Sequence, residues 1–254
     1  MTDPELVLSA IGVSLADALH GDLLGLYAHG SWVTGDFAAD RSDLDVLAIL
    51  SREPDAALLP ILAQAHVRIE EHYPLWKGRI EVEYIDVATV AAIAAAGNDA
   101  TERLMVRISP GEDIHLLPAT SHRLLTWATV RSGGLPLLGP PPTELLPPID
   151  PARVRSAALD HVRDWPSWVL QMRHPGGQAY AVLTLCRALH LFVEGSQISK
   201  LQAARYAIAA LPDRAGLIVW ARDWWYAGGS DDEQSRHDEV TAFVQEVSAR
   251  IRDL

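Results

Sequence analysis

Three short stretches of this chain carry residue types suited to phosphoryl chemistry: Gly30-Ser31, Asp43-Leu44-Asp45 and Glu81-Val82-Glu83. A glycine lets a phosphate approach the backbone closely, and a Gly-Ser turn that opens a helix offers unpaired N–H groups to it. After an eleven-residue spacer, 32–42, come Asp43 and Asp45. If Asp43-Leu44-Asp45 enters a strand, the two carboxylates share a face, about 6.6 Å apart along it. Such a pair repels unless a cation lies between, and magnesium favours one or two carboxylates plus phosphate oxygens. Glu81 and Glu83 share one face of a third stretch. Either one is placed to complete a metal site or to accept the proton of an attacking hydroxyl.

Those residues need strands that end together. The apolar run Leu23–Ala28 stops at the Gly-Ser turn, Asp43–Leu50 is a second run, and Ile80–Ile85 alternates with period two. Helical patterns are expected near 4–20, 55–72, 86–96 and 121–132. Strands interleaved with helices predict an α/β or α+β domain. Gly133-Gly134, Gly139-Pro140-Pro141-Pro142 and Pro147-Pro148 punctuate the chain strongly. Proline at that density ends helices, so a boundary is expected near 150, giving domains 1–150 and 151–254.

The second half reads as helices only, hence a bundle. Across 178–194, Ala181, Val182, Leu185, Cys186, Leu189, Phe192 and Val193 form one apolar stripe. Ser199 with Gln202 makes a capping box for a helix over 199–211. Another helix runs over 213–227, and the last is expected to begin among Asp231, Asp232 and Glu233 and to end at Arg250 and Arg252. Lys200 falls in a first turn, where a cation opposes the helix dipole and a bound phosphate would offset that cost.

Composition narrows the function classes. The 254 residues carry a formal net charge of −12, and the only lysines are Lys77 and Lys200. No run of Lys and Arg offers a phosphate-neutralising stripe, so nucleic acid is an unexpected partner. No apolar run approaches the roughly 18 residues of a membrane span, and the acidic start Met1-Thr2-Asp3-Pro4-Glu5 is unlike a signal peptide. A single cysteine, Cys186, excludes disulfides within the chain and Cys-rich zinc sites. The expectation is a cytoplasmic protein, monomeric or weakly associated, with no membrane partner.

The pattern Gly-Ser, a spacer, Asp-x-Asp on a strand and a later strand carboxylate resembles the polymerase-β-type nucleotidyltransferase superfamily. More narrowly, the chain resembles the aminoglycoside (3'')(9)-adenylyltransferases, which modify streptomycin and spectinomycin. Leu137-Leu138-Gly139-Pro140, Leu183-Thr184-Leu185-Cys186-Arg187 and Ile198-Ser199-Lys200 carry that narrower likeness, which spans about 25–250. The resemblance implies an α+β fold, with a mixed sheet flanked by helices followed by a helical domain. It implies Mg2+ and ATP as co-substrate, with AMP passed to a small hydroxyl-bearing acceptor. It makes Asp43 and Asp45 metal ligands, and Glu81 the base and a third ligand. Gly30 and Ser31 would seat the triphosphate, Arg187 and Lys200 would reach the nucleotide phosphates, and Trp168 and Glu83 would line the acceptor pocket.

Two stretches depart from that family. Residues 173–178, Arg-His-Pro-Gly-Gly-Gln, carry no carboxylate where the antibiotic enzymes carry acidic residues. The segment 97–114 is unlike their tryptophan-bearing stretch. The acceptor is therefore left open between an aminoglycoside or aminocyclitol and another metabolite or a protein side chain. A nucleotide-binding module without catalysis is the remaining alternative, and the intact set of three carboxylates speaks against it.

Overall fold

The computed structural model describes residues 3–96, 102–109 and 112–254, so Met1, Thr2 and part of the 97–114 segment lie outside the described residues. By contacts the chain divides into two units: Met1–Phe37 with Ser42–Arg153, and Ala38–Arg41 with Val154–Leu254.

The first unit is built on six strands: β1 (Leu23–His29), β2 (Leu44–Leu50), β3 (Ile80–Asp86), β4 (Leu104–Ile108), β5 (His115–Pro118) and β6 (Leu135–Leu138). They lie in the order β5-β4-β3-β2-β1-β6. Only β2 and β3 run parallel; every other pairing is antiparallel, so the sheet is mixed. A parallel pair needs a crossover, and α3 (Leu58–His72) supplies it.

Helix α1 (Pro4–Leu19) starts where Asp3 accepts a hydrogen bond from the Glu5 N–H, with Pro4 at the first helical position. Val7, Leu8, Ile11 and Leu15 of α1 join Leu58, Leu62, Ala65 and Ile69 of α3 in one core cluster. The sheet contributes Val46, Ala48, Val82 and Tyr84 to the same cluster. Strand alternation then sends Asp45, Glu81 and Glu83 to the opposite face. Burying each of these large aliphatic side chains contributes about 1.5–3 kcal/mol, which fixes the register and, with it, the direction in which the carboxylates point.

Four elements complete this unit: the short α2 (Gly30–Thr34), α4 (Val87–Ala96), α5 (Leu124–Gly133) and α6 (Pro142–Leu145). The Gly- and Pro-rich stretch after α5 is not wholly a linker, since it supplies β6. Pro136 is tolerated there because β6 is an edge strand paired on one side only, with β1. Gly139 has φ +86, and a Cβ there would lie 2.3 Å from the Leu24 carbonyl, so the close pass of this segment over β1 requires glycine.

The second unit is helical: α7 (Pro151–Trp168, from Val154 on), α8 (Pro175–Glu194), α9 (Lys200–Ala210), α10 (Ala215–Tyr226) and α11 (His237–Arg252). Helix α8 is its centre, with α9, α10 and α11 packed on it. Its buried set is wider than the single expected stripe, because Ala179, Leu183 and Leu191 are buried as well, whereas Val193 is 47% exposed. A helix enclosed by three neighbours buries more than one face. Cys186 is fully buried there, and burial pushes its thiol pKa well above the ordinary value.

The capping box at Ser199 is present in full. The last helix starts later than expected, at His237. Asp231 instead accepts a hydrogen bond from Gly176 N–H at 2.8 Å, and Glu233 accepts one from Ser230 N–H. The acidic cluster thus serves a helix N-terminus, that of α8 rather than of α11.

Candidate active site

The register of the sheet assembles the site. His29 at the end of β1 stands opposite Asp45 on β2, and Asp45 stands opposite Glu81 on β3. Residues far apart in sequence therefore sit side by side where three strands end. Asp43 immediately precedes β2 and is held from both sides by Arg79. The backbone carbonyl of Arg79 accepts the Leu44 N–H at 2.9 Å, and its guanidinium donates to the Ser42 carbonyl. That guanidinium also lies 4.7 Å from the Trp76 ring centroid.

Gly30 opens α2 at φ +69, and a Cβ there would fall 1.9 Å from Asp45 Oδ2. The turn accordingly needs glycine twice over, for its left-handed backbone and for the carboxylate lying against its Cα. Ser31 follows as the second residue of α2, part-exposed. Gly30→Ala is expected to lower Tm and to push the Asp45 carboxylate aside. The backbone strain alone costs about 1–2 kcal/mol. Thermal unfolding read alongside turnover checks it, and a variant with wild-type Tm and rate would show that the turn tolerates a side chain.

Glu81 is held at both oxygens. Arg107 Nε lies 3.3 Å from Oε1, and the Ser109 hydroxyl donates to Oε2 at 3.1 Å. Glu83 departs from the expected acceptor contact. It is 3% exposed, and Arg123 Nη1 donates to its Oε1 at 2.6 Å. A buried carboxylate is tolerated when paired, and here Arg123 pairs one oxygen while Oε2 is buried without a hydrogen-bond partner. His29 is pushed down to about 4 by burial, with Glu83 acting weakly in the other direction. Its ring is therefore neutral at pH 7 and adds no positive charge beside Asp45.

Among the described residues no group of three His, Cys, Asp or Glu side chains is gathered as a metal set. Of the expected trio, Asp45 and Glu81 stand opposite one another across the β2–β3 ladder, and Glu81 contacts Arg107 and Ser109. Asp43 and Asp45 remain as part-exposed oxygen donors at a strand entrance. Two hard carboxylates that leave room for phosphate oxygens fit magnesium.

The second unit carries the other expected residues. Lys200 is the first residue of α9, and its Nζ lies 4.7 Å from the Tyr180 ring centroid and 4.5 Å from that of Trp225. Arg187 Nε donates to the Ile198 carbonyl at 3.0 Å, pinning the segment that leads into α9. Trp168 is 40% exposed and meets Trp165 and His161 edge-on. In the same unit the Arg41 guanidinium stacks 4.1 Å over Trp224 and donates to the Gly229 carbonyl.

Residues 144–250 match the model of the aminoglycoside adenylyltransferase C-terminal domain. This half of the chain is therefore similar to that domain. The whole chain is also similar to a spectinomycin 9-adenylyltransferase of Campylobacter jejuni, with 24% identity over 248 residues, covering 95% of this chain and 93% of the relative. In three dimensions it resembles the spectinomycin adenyltransferase of Enterococcus faecialis, solved with ATP and spectinomycin. That likeness has a TM-score of 0.80 at 19% identity and covers 98% of this chain and 100% of the other. The aminoglycoside adenylyltransferase resemblance read from residues 137–140, 183–187 and 198–200 thus extends over both units.

Sequence reasoning had reached Gly30, Ser31, Asp43, Asp45, Glu81, Glu83, Trp168, Arg187 and Lys200. It missed His29, Arg107, Ser109 and Arg123. The short apolar run of Leu104–Val106 with Ile108 was a usable strand signal, and it would have put Arg107 on a sheet face.

Proposed function

We propose that the chain transfers AMP from ATP to a hydroxyl of an aminoglycoside- or aminocyclitol-type small molecule and releases pyrophosphate. One observation carries the reading. Parallel pairing of β2 with β3 sets Asp45 beside Glu81, next to the turn that Gly30 makes against Asp45. A carboxylate suited to a metal and one suited to a proton then stand in adjacent register positions. The family match over 144–250 and the two adenylyltransferase likenesses support the same chemistry.

Magnesium, held by Asp43 and Asp45, would supply charge neutralisation on the triphosphate. The chain's own residues do the rest. The backbone N–H groups at Gly30 and Ser31 face the phosphate oxygens and orient the α-phosphate. Glu81 takes the proton of the acceptor hydroxyl as its oxygen bonds to the α-phosphorus, while the bond to the pyrophosphate oxygen breaks. Arg187 and Lys200 serve the phosphates from the helical unit, and Trp168 offers an exposed ring to the acceptor.

The absence of a carboxylate from 173–178 favours a second reading, in which the same transfer is made to another metabolite or to a protein side chain. Pyrophosphate release from ATP across a panel of aminoglycosides, aminocyclitols and common metabolites separates the two. Tight ATP binding with no release from any member of the panel would leave a nucleotide-binding module instead.

Lys200→Ala is expected to weaken ATP binding by about one to two orders of magnitude. A charge-assisted contact is worth roughly 1.5–3 kcal/mol, part of it offset by leaving the two aromatic rings. Calorimetry with the full chain checks this, and an unchanged ATP affinity would remove Lys200 from the nucleotide site.

A further inference from the structure

We propose that Arg107, acting with Ser109, is the positioning residue of the general base. The pair holds the Glu81 carboxylate in one orientation for the acceptor hydroxyl. This rests on the transfer reading above. Three contacts close a ring. Arg107 Nε lies 3.3 Å from Glu81 Oε1, Arg107 Nη2 donates to Ser109 Oγ at 2.8 Å, and Ser109 Oγ donates to Glu81 Oε2 at 3.1 Å. The strand frame makes the ring rigid: β4 pairs with β3, and Arg107 stands opposite Glu83.

Glu83 is already matched by Arg123. Arg107 is thus the cation that offsets Glu81, and the two buried or half-buried glutamates of β3 each have their own arginine. A carboxylate ion-paired at one oxygen and hydrogen-bonded at the other has its side-chain rotation restricted, so a hydroxyl proton finds it in one place. With the side chains of the ion pair 27% and 25% exposed, the acceptor still has access to it.

The test uses the full-length protein and its Mg-ATP-dependent transfer. Arg107→Gln is expected to lower kcat by about tenfold to a hundredfold, as misplacement of a catalytic group does. KM for the acceptor and affinity for Mg2+ with α,β-methylene ATP should stay within about twofold, because the residue acts through Glu81 and touches neither ligand. Arg107→Lys should recover part of the rate, and Ser109→Ala should show a smaller loss of the same kind. The deciding measurement is the double variant: in a Glu81→Gln background, Arg107→Gln should cost nothing more.

Additive losses in that cycle would overturn the proposal, as would wild-type kcat in Arg107→Gln. A tenfold loss of affinity for the ATP analogue would also overturn it, by making Arg107 a nucleotide ligand. The analogue measurement needs no acceptor, so it tests the proposal even where the acceptor panel is silent. An absence of transfer by the wild-type protein counts against the functional reading separately.

Discussion

Asp45→Asn abolishes transfer while the protein stays folded. The amide matches the carboxylate in size, and the backbone pairing of Asp45 with His29 and Glu81 does not involve the side chain. The carboxylate lies against Gly30 Cα, and an amide occupies the same space. What is lost is negative charge at the one place where two oxygen donors enter a strand together. The expected result is turnover below detection in a pyrophosphate-release assay, a weakened magnesium dependence of nucleotide binding and a cooperative melting transition that shows a folded protein. Near wild-type turnover with magnesium would move the metal site elsewhere.

Glu81→Gln separates binding from chemistry. Glutamine still accepts the Ser109 hydrogen bond but cannot take a proton from the acceptor, and loss of a general base costs on the order of 10²–10⁴-fold in rate. Affinity for ATP and magnesium should be close to wild type, since Glu81 is turned towards Arg107 and Ser109. Glu83→Gln is the control on the neighbouring face position. It breaks a buried ion pair with Arg123, so its main effect should be a lower Tm with kcat largely kept. Single-turnover rates and melting curves for both variants check the contrast. If Glu83→Gln carries the rate defect and Glu81→Gln does not, the base is Glu83.

The chemistry was legible where it was local. Gly30-Ser31 and Asp43-Leu44-Asp45 announce a glycine turn and a strand entrance, and the alternation in Ile80–Ile85 puts Glu81 and Glu83 on one face. The partners of those carboxylates were not legible. Arg107 reaches Glu81 through the pairing of β4 with β3, and Arg123 reaches Glu83 from the turn before α5. Neither contact leaves a trace in periodicity, because long-range register is set by the packing of the opposite face. Proline misled the reading of 133–148, since a strand at a sheet edge tolerates what a central strand does not. In the helical half, the pattern located α8, α9 and α10 well. It misassigned Asp231, whose hydrogen bond to Gly176 joins two segments distant in sequence.

Parallel pairing of β2 and β3 makes the spacing of the two working carboxylates quantised. Asp45 and Glu81 meet across one ladder, and the crossover that sets their alignment is remote from both. A slip of one residue would bring Ile80 or Val82 opposite Asp45, and the strand would turn its carboxylates to the apolar side. A slip of two would bring Arg79 or Glu83. Insertions and deletions in the crossover are therefore silent while the ladder keeps step and fatal once it does not. The separation of Asp45 from Glu81 changes only in whole residue steps of the ladder, with no intermediate spacing between them.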